Sequence, residues 1–111
     1  MSVFQSKDGI LKTAAVILND TNPKTIVDGG NTGCTVEYIR ICEVAGGAPT
    51  VIIDIYRAST AFKIRGTLAM AAHTPYTDRD PIQLEAGDLL RATASAGNVV
   101  HATATYTVPS A

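Results

Sequence analysis

The residues of this chain best suited to chemistry are two histidines, two cysteines and a pair of aspartates, and their spacing gives each a plain role. His73 and His101 have no second His, Cys or acidic residue at the separation a metal site needs, so both read as solvent-facing or interface side chains. Cys34 and Cys42 lie at even spacing in one apolar run. In a single strand they would share a face about 26 Å apart, far beyond the roughly 7 Å between Cα atoms that a disulfide tolerates. They read as buried or half-buried thiols. Asp78 and Asp80 could line a calcium loop, but Arg79 stands between them and Pro81 restricts Asp80, which favours a solvated charge cluster. Asp28-Gly29-Gly30-Asn31-Thr32-Gly33 has the glycines of a phosphate cradle. No Lys-Ser/Thr pair follows it, however, and the next segment is a strand rather than a helix, so it reads as a turn. With no Gly-x-Ser-x-Gly elbow, nucleophile–base pair or close carboxylate pair, no enzyme, metal or cofactor is expected.

Composition narrows the remaining classes. Hydrophobic residues at 46% against 17% charged describe a chain that folds, and 111 residues suit one core rather than two. Nine basic and ten acidic residues, formal charge −1, lack the basic stripe of a nucleic-acid protein. No apolar run approaches the roughly 20 residues of a membrane helix. The start, Met1-Ser2-Val3-Phe4-Gln5-Ser6-Lys7-Asp8, has neither the charge nor the apolar stretch of a signal peptide, so synthesis in a cytoplasm is expected.

The elements that must position these residues are strands. Val51, Ile53 and Ile55 alternate with Asp54; Phe62 and Ile64 alternate with Lys63 and Arg65. Val100, Ala102, Ala104, Tyr106 and Val108 share one face of a long final strand whose other face carries His101, Thr103, Thr105 and Thr107. Eight strands are expected, at 11–18, 24–27, 34–44, 50–57, 61–69, 81–84, 88–95 and 98–108. The first could also form two helical turns, although it has no convincing cap. Ala45-Gly46-Gly47-Ala48-Pro49 and Ala96-Gly97-Asn98 look like hairpin turns, and Glu85-Ala86-Gly87-Asp88 like a tight turn. The longer link from Met70 to Asp80 is expected to cross between sheets. Short strands, tight turns and one longer crossing predict an all-β fold, an antiparallel sandwich of about eight strands resembling a jelly roll.

Two features bear on assembly. Residues 1–10 read as an extended arm ahead of one domain at 11–111, and Phe4 is the large aromatic in that polar leader. The last two strands carry alanines at one parity, Ala92 and Ala94, Ala102 and Ala104. Such a surface either lets two sheets approach closely or packs flat against another subunit. Tyr76 and Arg79, of types enriched at interfaces, are the other candidate contacts with Phe4.

The run from Gly47 to Arg57, with the preceding Val36–Cys42 strand, and the stretch Leu84-Glu85-Ala86-Gly87-Asp88 followed by an Ala- and Ser-rich strand, a turn and a final strand through Tyr106, are similar to small β-sandwich structural proteins of tailed bacteriophages. The resemblance covers about residues 34–107. It implies a virion component: a capsid decoration or cement protein bound across major capsid protein subunits, or a neck, collar or tail accessory. It brings no catalytic residues, and the first thirty residues do not match it well. A homo-oligomer, a trimer at local threefold positions, and a place on the capsid exterior would go with the decoration role. A receptor- or carbohydrate-binding module is the reading of another class; it would call for exposed aromatics, of which the sequence offers only Tyr76 on the long connection.

Overall fold

The computed structural model describes residues 9–97 and 99–109, and within them nine strands. These are β1 (Ile10–Leu18), β2 (Lys24–Asp28), β3 (Cys34–Glu43), β4 (Thr50–Arg57), β5 (Thr60–Ala69), β6 (Pro75–Asp78), β7 (Ile82–Leu84), β8 (Leu89–Ala94) and β9 (Val100–Val108). They form two antiparallel sheets. One runs β1-β9-β3-β6, with β7 also pairing with β3; the other runs β2-β8-β4-β5. Because β6 and β7 pair with successive parts of β3, they act as one broken strand. Counted so, the first strand pairs with the last, the second with the seventh, the third with the sixth and the fourth with the fifth. That nested pairing is a jelly roll.

The core lies between the sheets. Val51 and Ile53 of β4 face it, as do Leu90 of β8, Ile39 and Ile41 of β3, and Leu18 of β1, all buried. Ala92 and Ala94 in β8, and Ala102 and Ala104 in β9, are buried there as well. The two strands are not neighbours: β8 is central in one sheet and β9 in the other. The alanines therefore let the sheets approach at the middle of the sandwich, and they form no surface for a subunit.

Other expectations are met in part or corrected. The links after β3 and after β8 lead from one sheet to the other, so they are corners rather than hairpins, and no final hairpin closes a sheet. A local polar turn does not reveal whether the next strand pairs with its predecessor. The Met70–Asp80 link does cross between sheets, but it ends in β6. Finally, Cys34 and Cys42 do not share a face. The pairing of β3 with β9 slips between Val36 and Tyr38, which inserts one residue and inverts the alternation beyond it. Cys34 is buried, and burial pushes its thiol pKa up, whereas Cys42 is half-exposed on the outer side.

β5 is displaced in the same way. Its pairing with β4 slips twice, and Arg65 comes opposite buried Ile53 instead of pointing outward. There it meets Asp78 of β6, which is also inward and buried, and reaches Asp80 at 3.6 Å. The ion cluster thus ties the edge strand of one sheet to that of the other. Phe62, expected inside, is 52% exposed beside this open edge. Among the described strands, the one hairpin between consecutive strands joins β4 and β5 through Ala58 and Ser59, both at positive φ (51° and 65°), as a two-residue turn of this kind demands.

Candidate interaction surface

The buried polar groups of the sandwich are all engaged in holding it together. Glu43, at the end of β3, is fully buried and accepts backbone N–H bonds from Ala45, Gly46 and Gly47 in its own corner and from His73 in the crossing link, at 2.8–3.1 Å. The His73 amide above all, with those of Gly46, Ala45 and Gly47, outweighs burial and holds its pKa at about 2. At the opposite end Arg57 donates to both oxygens of buried Asp88, which also accepts the Glu85 amide, and the carboxyl sits below its ordinary range. Asp78 is lowered likewise by Arg65. Among the described residues no buried side-chain polar atom lacks a partner, and no three His, Cys, Asp or Glu residues gather as metal ligands would. These carboxylates act as struts.

What is left for recognition is the outside of the two sheets. On the β2-β8-β4-β5 sheet, Arg91 donates to Asp54 at 2.9 Å and lies 4.2 Å from the centre of the Tyr56 ring. Those two charges are spent on one another, while Lys63, opposite Asp54 on β5, is exposed and makes no ion pair among the described residues. On the β1-β9-β3-β6 sheet the Tyr38 ring is flanked by two guanidiniums, Arg79 at 5.3 Å and Arg40 at 6.0 Å, and neither pairs with a carboxylate among the described residues. Beside them runs a shallow depression of about 380 Å³ bounded by Thr13, Ala15, Tyr38, Arg40, Thr103 and Thr105. It adjoins a second, of about 630 Å³, between Ala15, Ile17, Asn19, His101 and Thr103. Together they cross three strands: cationic and aromatic over β3, threonine- and histidine-lined over β9, and over β1 lined by Thr13, Ala15 and Ile17.

The candidate contacts named from sequence separate here. Arg79 belongs to this outer surface. Tyr76 pairs with buried Ile41 and packs half-buried against the core from the inner face of β6. Phe4 lies outside the described residues. Tyr38 and Arg40 were missed. Their alternation was legible, but the slip in β3 that turns both outward has no signal in the residue types.

The fold resembles that of several solved structures. A chain in the acid-stable capsid of Helicobacter pylori bacteriophage KHP30 superposes with a TM-score of 0.62 at 16% identity, over 91% of this chain and 88% of that one. A Bacillus endospore appendage from a family of disulfide-linked pili gives 0.58 at 12%, over 89% and 88%. The core of the Drosophila NLP protein, a structure concerned with pentamer formation and histone binding, gives 0.56 at 10%, over 89% and 97%. The likeness is one of fold. No family model and no curated protein matches the sequence.

Proposed function

We propose that this chain is a non-enzymatic structural protein of a tailed-phage virion, and specifically a decoration protein that binds across major capsid protein subunits and stabilises the head. The observation that carries this reading is the outer face of the β1-β9-β3-β6 sheet, where Arg40 and Arg79 flank Tyr38 with no carboxylate partner beside a broad shallow depression, while among the described residues the buried carboxylates are bonded within the fold. Such a surface suits a protein partner: it is wide, mixed in chemistry and open. The fold shared with a phage capsid chain and the sequence resemblance to phage sandwich proteins support the same setting.

The mechanism is binding energy alone. Each copy covers a seam between subunits, and many modest contacts act together because linked binding events raise one another's effective concentration. Arg79 and Arg40 would meet acidic or carbonyl groups of the capsid; Phe4 would anchor the leader, with Tyr76 steadying the edge that carries Arg79. Near-zero net charge, −1, permits dense repetition over a shell. A trimer at local threefold positions on the exterior fits that lattice.

Quantitative mass spectrometry of purified particles tests this. A copy number in simple ratio to the major capsid protein is the expected result. A count matching one ring of subunits would move the protein to the neck or tail, and absence from the particle would overturn the virion role.

A further inference from the structure

Strand β1 ends its sheet. One edge is paired with β9 from Ile10 to Leu18 without interruption, and the other pairs with no strand among the described residues. A bare edge is a template for another chain, and proteins blunt it with prolines, bulges, charges or short length. The other three edges are blunted so. β2 has five residues and a slip in its pairing, β5 slips twice, and β6 has four residues beginning at Pro75. β1 has nine residues, a single charge at Lys12, no proline and no bulge, and it exposes Ile10, Leu11 (67%) and Ile17 (52%).

We propose that β1 pairs antiparallel with β1 of a second copy, about a twofold axis through Ala14, so that two sheets become one. Inner and outer faces match across such a junction only when paired residues share parity. Among those registers, the axis at Ala14 alone uses the whole strand, from Ile10 opposite Leu18 onward. It sets Leu11 against Ile17 of the second copy, twice per junction, and so covers the two most exposed apolar side chains of the outer face. Lys12 comes opposite Val16, and no charge meets a like charge. The strand is complementary to itself. This pairing does not rest on the virion reading; it would hold for the protein alone.

Sedimentation velocity on the full chain tests it through register. The wild-type chain is expected to sediment as pairs, or as pairs of whatever ring it forms. The double variant L11K/I17K places lysine against lysine twice and should weaken association by roughly tenfold or more. L11E/I17K puts opposite charges at the same positions and should restore it. Both sites are exposed, and thermal unfolding checks that each variant folds. A wild-type chain without paired species, equal behaviour of the two variants, or association lost on deleting residues 1–8 but indifferent to both charge variants would each overturn the pairing. None of these results would alter the copy number in particles, which tests the virion reading separately.

Discussion

The two outer faces of this sandwich carry similar arginine–tyrosine groups, one closed by a carboxylate and one not. Over the β2-β8-β4-β5 sheet, an arginine, an aspartate and a tyrosine close on one another. Over the β1-β9-β3-β6 sheet, two arginines and a tyrosine close on nothing acidic among the described residues. A charge whose partner is in its own chain contributes to stability; one whose partner is absent is available for recognition. Residue type does not distinguish the two cases, and only the presence of a carboxylate one strand away does.

Stability measurements can break this contrast. The largest effect is expected from Arg91→Ala, which strands Asp54, only 5% exposed, without its guanidinium. A loss of about 2–4 kcal/mol in urea unfolding is expected, and the double variant D54A/R91A should recover part of it. Acid titration comes next. Glu43 is held at about 2 in the fold against an ordinary 4.5, so the unfolded chain binds its proton first as pH falls. Its contribution is complete above pH 4.5 and fades as pH drops toward 2. Glu43→Gln should therefore flatten the acid limb of a stability–pH profile, and a limb unchanged by the substitution would refute this role. Ser59→Gly should raise stability by about 1 kcal/mol, since it relieves a non-glycine residue at φ 65° in the β4–β5 turn. The smallest effect belongs to the other face: Arg40→Ala with Arg79→Ala should change the unfolding free energy by less than about 0.5 kcal/mol. If the proposed role holds, the same pair should lower occupancy on particles. A loss of stability comparable to that of Arg91→Ala would erase the contrast.

How far the sequence revealed these faces depended on whether alternation ran unbroken. In β9 it did, and Val100, Ala102 and Ala104 point inward as the pattern says. β8 and β4 were equally legible. In β3 and β5 it failed, because a bulge costs one residue and leaves no composition behind it. Cys42, Tyr38 and Arg65 all changed sides for that reason. β6 was hidden because Pro75-Tyr76-Thr77-Asp78 carries turn residues in an edge strand, where a missing amide is tolerated. The jelly roll itself was legible from strand number and spacing; which corners crossed between sheets was not, since strand pairing is decided at long range. The buried role of Glu43 rests on amides from two separate corners, which no local motif could announce.

The nested pairing also sets a schedule. Arg57 and Thr60 can meet as soon as their turn forms, but Ile10 must wait for Val108, at the far end of the chain. Closing the largest loop last makes folding slow, in the millisecond-to-second range of strand-rich domains with distant contacts. β1 is made before the other eight described strands and is satisfied by the last of them, so until then its backbone, between Leu11 and Ile17, is bare on both edges instead of one. The ribosome therefore releases a chain whose most adhesive segment has the longest exposure to its neighbours, and refolding yield should fall with concentration more steeply than the stability of the finished sandwich would suggest.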